Sequence, residues 1–220
     1  PKPDNENSRL KDLKDLKIIE ENIEKSKRFS SFPRLAAMLT ECDKAAINIV
    51  DDTSQHCKVN FGMDAIENMM VRETPRELSV CAHVLNNASE PLVINDLTKD
   101  SRTKHVFELN NPIINKTFPK FYAGSPIITS NGYILGSFCV FNSEPKLIDN
   151  SKVEGLRMLA DQFIDLYEST KDEYKQDVKP DLTKKEKVNG EYFSSSTVLF
   201  CDFVGFTQKT EKMKFYFSFS

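Results

Sequence analysis

The residues with the most specific chemistry lie near the end of the sequence, in SSSTVLFCDFVGFTQKTEKM, Ser194 to Met213. Thr197, Val198, Leu199 and Phe200 favour a buried strand, which delivers the carboxylate of Asp202 to a sheet edge beside the turn Val204, Gly205, Phe206, Thr207. That arrangement suits metal-assisted phosphoryl chemistry, in which the acid holds a divalent cation and backbone amides approach phosphate oxygens. Two-metal catalysis needs paired carboxylates, and Asp202 alone supplies half of such a site at best.

The other reactive groups are thiols and imidazoles. Five cysteines (Cys42, Cys57, Cys81, Cys139, Cys201) are an odd, scattered set without a C-x-x-C pair, which reads as free thiols in a reducing cytoplasm. Cys81 and His83 lie two apart on a predicted helix, so they point to different faces. A zinc site would need two further ligands, and His56-Cys57 is the other cluster at hand; packing of a core or helix start is the plainer account. Cys139, in GSFCVFN, reads as a small core residue. In ETPREL, Glu73, Arg76 and Glu77 read as an ion-paired loop that fixes the following helix.

The elements that must position these groups belong to a soluble globular chain. Of its 220 residues 39% are hydrophobic and 29% charged, and the formal net charge of -3 gives a nucleic-acid partner no electrostatic support. The N-terminal PKPDNENSRL lacks the apolar core of a signal peptide. Phe121 to Ser143 is uncharged and long enough to span a membrane, but Asn131-Gly132 between two β-rich runs makes it a hairpin of core strands. No membrane partner is expected.

Ser8 to Arg28 carries Leu10, Leu13, Leu16, Ile19 and Ile23 at helical spacing, a narrow stripe that suits packing on its own domain or pairing with a partner. A second helix is predicted from Ser31-Phe32-Pro33 to about Glu41, with Pro33 in the first turn. AAINIV (45–50) and HCKVNF (56–61) form a hairpin, and LSVCAHVLNNA (78–88) a helix with Ser79 at its N-cap. PLVIND (91–96) is a strand, and a polar loop with one helical turn runs to about Lys120. Strands and helices are segregated rather than strictly alternating, which places the chain in the α+β class, an antiparallel sheet with helices on its faces. Asp149 or Asn150 caps a long last helix in which Leu156, Leu159, Phe163 and Leu166 repeat as a heptad seam. The seam runs into the polar ESTKDEYKQDVK, so a helical partner is expected there, and a solvated linker follows Pro180.

From about Phe32 to Tyr167 the sequence resembles a GAF domain, the small-molecule sensor module of cyclases, phosphodiesterases and histidine kinases. The likeness is greatest at RETPRELSVCAH (72–83), PLVINDLTKDSR (91–102) and FYAGSPIITSNGYILGSFCVFN (121–142). It implies a GAF fold with five to six antiparallel strands flanked by helices. It also implies an unknown small-molecule effector held between the sheet and the loops from about Asp96 to Phe121, and no cofactor in the sensor. GAF domains that bind cyclic nucleotides carry Asn-Lys and later Phe-x-x-x-Asp-Glu. Asn115-Lys116 is present without the second part, so a cyclic nucleotide is a lesser candidate effector.

The motif at Phe200, Asp202, Gly205, Phe206 and Thr207 resembles the first strand of a class III adenylate or guanylate cyclase. The resemblance implies that Asp202 and the backbone carbonyl of Phe203 hold Mg²⁺ or Mn²⁺ in an intact catalytic domain, with the backbone of Val204, Gly205, Phe206 and Thr207 near the nucleotide phosphates. The implied organisation is an N-terminal helix (1–28), a GAF sensor (29–168), a linker (169–193) and the start of a cyclase domain (194–220). Class III active sites form between two catalytic domains, which implies a parallel homodimer through the last helix. The second metal-binding Asp of that family lies on a later strand, so the 220-residue chain itself is expected to make no cyclic nucleotide. Rival readings are a GAF binding module without catalytic output and a thiol redox sensor.

Overall fold

The computed structural model describes residues 2–86, 90–108 and 118–176. The β-rich runs pair into one six-stranded sheet built from β1 (Lys44–Val50), β2 (Ser54–Phe61), β3 (Glu73–Pro75), β4 (Leu92–Ile94), β5 (Phe121–Ile128) and β6 (Ile134–Asn142). The order is β3-β2-β1-β6-β5-β4, and every neighbouring pair is antiparallel. Two hairpins, β1–β2 and β5–β6, are joined by the long-range pairing of β1 with β6. Asp51 closes the first turn by accepting the amides of Thr53 and Ser54 at 2.8 and 2.6 Å. The second closes at Asn131-Gly132, as expected, with Gly132 at φ 82°, a left-handed conformation that glycine adopts without steric cost.

Alternation along β1 sets the two faces of the sheet. Ala45, Ile47 and Ile49 face a core shared with α1 (Glu6–Leu16), α2 (Lys27–Thr40) and α5 (Asn150–Gln176). Ala46 and Val50 face a second core with Tyr122, Cys139 and the 3₁₀ segment Cys81–Asn86. Two short helices, α3 (Ala65–Val71) and α4 (Lys104–Glu108), complete the α-helices of the described residues. No described helix is long and apolar enough to cross a membrane.

The N-terminal region packs on its own domain, but not as one helix from Ser8 to Arg28. It breaks at Lys17, which is left-handed at φ 56°, and resumes through a 3₁₀ turn at Ile23–Lys25 into α2. The break lets Ile18 be wholly buried together with Leu13 and Ile23. Tyr167 Oη donates to the carbonyl of Leu16 at 3.1 Å, meeting an acceptor that a helix end leaves open. α2 starts at Lys27, so Pro33 lies inside it rather than in its first turn. At the other end of α1, Arg9 is fully buried and donates to the carbonyl of Val50 and to Glu6. Arg76 reaches the same Glu6 carboxylate and the carbonyl of Asp51. ETPREL is thus an ion-paired structural loop, in which Glu6 of α1 supplies a partner to Arg76.

The heptad seam is corrected by the packing of α5. Leu156 and Phe163 are fully buried inside their own domain, and Leu159 and Leu166 pack partly against the same core. The buried set is Leu156, Ala160, Phe163, Ile164 and Tyr167, the wide stripe of a helix laid on a sheet rather than the narrow stripe of a coiled coil. Phe163 meets Phe29 and Phe32 edge-on at 5.7 and 6.0 Å.

Candidate functional site

A cavity of about 130 Å³ opens over the second face of the sheet. Its floor is Lys44 and Asn48 of β1, Gln55 of β2, Tyr122 of β5 and Phe141 of β6. Its walls are Met63, Met70 and Val71 at α3, Leu78 to Cys81, and Phe118 with Pro119. The loop reading from Asp96 to Phe121 therefore supplies one wall, through Phe118 and Pro119, while α3 and the 74–81 segment, which the sequence reading did not assign to a pocket, supply the rest. Residues 109–117, including Asn115-Lys116, lie outside the described residues.

α3 forms a thin roof. Asp64 accepts the amides of Ile66 and Glu67, and Glu67 accepts the amide of Asp64, a complete capping box. Glu67 also pairs with Lys44 on the floor, and Asn60 Nδ2 donates to Asn68 Oδ1 at 2.7 Å. No residue of α3 is buried, and Ile66, Met69 and Met70 are exposed. Polar ties rather than apolar burial hold the roof down, so lifting it costs little hydrophobic contact.

The floor holds a buried polar cluster. Asn48 Nδ2 donates to Cys81 Sγ at 3.3 Å and to Cys139 Sγ at 3.2 Å, and the two sulfurs lie 3.8 Å apart. Tyr122 Oη donates to Cys81 Sγ at 3.4 Å and shares a hydrogen bond with Ser137 Oγ at 2.9 Å. Burial pushes both thiols up, but at Cys81 hydrogen bonds from Cys139, Tyr122, Asn48 and Ser137 reverse this and hold its pKa below the ordinary thiol value. Cys139 is held well above that value by burial and by its neighbour. Gly124 makes the cluster sterically possible: a Cβ there would sit 2.2 Å from Tyr122 Oη and 2.4 Å from Ser137 Oγ. Asn48 is 2% exposed, and its Oδ1 has no partner among the described residues. A buried acceptor left open at the edge of a cavity is a built feature, since it forgoes a hydrogen bond of about 1 kcal/mol.

Ser79 caps as expected, accepting the amide of Ala82 at 3.1 Å. The segment it starts is 3₁₀ rather than α-helical. Three residues per turn align Cys81 with Val84 and Ala82 with Leu85, four buried side chains in two rows, and leave His83 and Asn86 on the third. Cys81 and His83 are thereby separated, and among the described residues no three His, Cys, Asp or Glu groups converge as a metal site. Asp202, Phe203, Val204, Gly205, Phe206 and Thr207 lie outside the described residues. The cluster around Cys139 was not legible, because Cys81 is 58 residues away and only the packing of the 3₁₀ segment on β6 brings the two together.

A family model for the GAF domain matches residues 28–164. The chain belongs to the GAF domain family. A cyclic di-GMP phosphodiesterase of Pseudomonas aeruginosa is 30% identical over 147 residues, which is 66% of this chain and 23% of that protein. The match thus spans about a quarter of that relative's length. The GAF domain of an Acinetobacter phosphoenolpyruvate-protein phosphotransferase superposes with a TM-score of 0.53 at 13% identity, covering 76% of this chain and 98% of that one. The GAF domain of Thermosynechococcus elongatus PixJ, in its blue-light absorbing form, gives 0.51 at 16% identity, covering 76% and 93%. Residues 28–164 thus form a GAF domain, and the six-stranded sheet is the GAF sheet.

Proposed function

We propose that the cavity above Asn48 is the sensor site, that it takes a small neutral ring carrying an N–H donor, and that its occupancy is passed through the sheet to α5. The observation that carries this reading is the unpartnered Asn48 Oδ1 beneath a roof of low burial. At about 130 Å³ the space resembles cavities that take a single ring, and it falls short of the roughly 300–1,000 Å³ of drug-sized sites. A cyclic nucleotide would fit only with α3 displaced. α5 lies on the opposite face, against β5 and β6, so strands that floor the cavity also carry the outgoing helix. A ligand acts on it only by binding one arrangement of these layers better than another.

The output we propose is a class III nucleotidyl cyclase beginning near Ser194. Support comes from the spacing of Phe200, Asp202, Gly205, Phe206 and Thr207, and from the order sensor, helix, catalytic start. The similarity to a cyclic di-GMP phosphodiesterase supports second-messenger signalling in general and leaves the reaction to that motif. In this reading the protein works as a homodimer. Its surface is displaced from Leu156 and Phe163 to the exposed Leu35, Met38 and Leu39 of α2 and Met158 of α5. Leu39 lies against Gly155, one turn from Met158, which joins the two helices into one apolar patch. The test is to extend the chain along its reading frame and assay it with ATP and GTP and Mg²⁺ or Mn²⁺. Cyclic nucleotide formation lost on Asp202→Ala supports the output; a continuation without a second acidic strand, or activity indifferent to Asp202, overturns it.

A further inference from the structure

Beyond ligand sensing, the floor of the cavity carries two groups whose placement implies chemistry of their own. Cys81 lines the cavity, whereas Cys139 lies behind it, fully buried, with its sulfur 3.8 Å from that of Cys81. Both are free thiols. Three donors or shared protons converge on Cys81 Sγ, from Asn48, Tyr122 and Cys139. Cys139 Sγ also donates to the carbonyl of Ala46 at 3.4 Å. An inert core cysteine needs none of this; a sulfur that must carry negative charge, with a second thiol aligned behind it, does.

We propose that Cys81 and Cys139 form a redox-active dithiol, which small hydroperoxides reach through the cavity and oxidise to a disulfide. Cys81 is the attacking sulfur and Cys139 the resolving one. In the first step the Cys81 thiolate attacks one peroxide oxygen: an S–O bond forms, the O–O bond breaks, and the departing hydroxide takes up the proton released by the thiol as water. Cys81 is then a sulfenic acid. In the second step the Cys139 sulfur attacks Cys81 Sγ: the S–S bond forms, the S–O bond breaks, and the leaving hydroxide departs as water with the Cys139 proton. Two thiols and one hydrogen peroxide give one disulfide and two waters. The sulfurs must close from 3.8 Å to about 2.05 Å. Hydrogen-bond donors at Cys81 account for the order of the steps, since the thiolate is the nucleophile.

This inference does not depend on the cyclase output or on the identity of the ring ligand. The test is hydrogen peroxide added to the full 220-residue chain, with thiols counted after denaturation and the disulfide located by peptide mapping. The accessible count should fall from five by two, to three, recover with dithiothreitol, and map to a Cys81–Cys139 link within one chain. Cys139→Ser should leave a sulfenic acid at Cys81 that dimedone labels. Cys81→Ser should slow thiol loss at least about tenfold and leave Cys139 unlabelled. Cys57→Ser should behave as the parent. If either serine variant fails to fold, the peptide map of the parent still decides. Five thiols surviving millimolar peroxide, a disulfide through Cys42, Cys57 or Cys201, or a link between chains would each overturn the proposal.

Discussion

Glu6 shows how much one side chain holds in place. Although burial opposes its charge, the hydrogen bonds and positive charges of Arg9 and Arg76 pull its pKa from 4.5 to about 2. A carboxylate with a depressed folded-state pKa stabilises the fold fully above its unfolded value and ceases to do so as pH falls through the folded one. Stability should therefore decline between about pH 4.5 and 2, and urea midpoints across that window should decline less in Glu6→Gln. At neutral pH the same substitution removes the carboxylate that faces the buried Arg9 and Arg76 guanidinium groups and should cost about 2 kcal/mol. Gly124 gives a second expectation at this scale. An alanine there collides with Tyr122 Oη, so Gly124→Ala should destabilise the domain by about 1–3 kcal/mol and, by moving a donor off the Cys81 sulfur, lower the reactivity of Cys81 towards alkylating reagents. Unchanged unfolding and unchanged labelling would mean that Tyr122 moves freely and the cluster is loosely held.

Among the elements, α5 separates what periodicity reveals from what it leaves open. The apolar repeat at Leu156, Leu159, Phe163 and Leu166 reads equally as a coiled-coil seam or as a core stripe. Ala160, Ile164 and Tyr167 decide it, since they widen the stripe beyond what a two-helix seam buries. Phe163→Ala should accordingly unfold the domain by about 3–5 kcal/mol rather than merely separate chains. Met38→Glu with Met158→Glu should leave stability nearly unchanged and convert a dimer into a monomer in sedimentation at tens of micromolar. A parent chain already monomeric at that concentration would remove the dimer from the account. The strands were legible because alternation and the Asn131-Gly132 turn are local signals, as was the cap at Ser79. The roof helix α3 was passed over, although Asp64 and Glu67 at capping-box spacing, with Ile66, Met69 and Met70 three and four apart, mark a helix start. The break at Lys17 was missed because Leu10, Leu13, Leu16, Ile19 and Ile23 continue the helical spacing across it, and burial of Ile18 overrides that pattern.

At the scale of the molecule, one sheet separates a helical layer that leads outward from a cavity that faces inward. β1 contributes to both: Ile47 and Ile49 pack beneath α1, α2 and α5, while Asn48 between them meets the cavity and both thiols. The strands β5 and β6, which share the cavity floor with β1, also pack against α5, and the proposed sensor reading rests on Asn48. The most direct measurement is a backbone-amide NMR titration of the chain with imidazole, pyrazole and uracil, single rings that carry an N–H donor, repeated on Asn48→Val. At least one ring should shift the amides of Asn48, Tyr122 and Ser79 to Cys81 together with those of α3, smaller shifts should extend to α5, and the valine variant should weaken binding by about tenfold, the worth of one buried hydrogen bond. Shifts confined to residues outside this cavity, or binding undiminished in the variant, would contradict the assignment of this cavity as the sensor site.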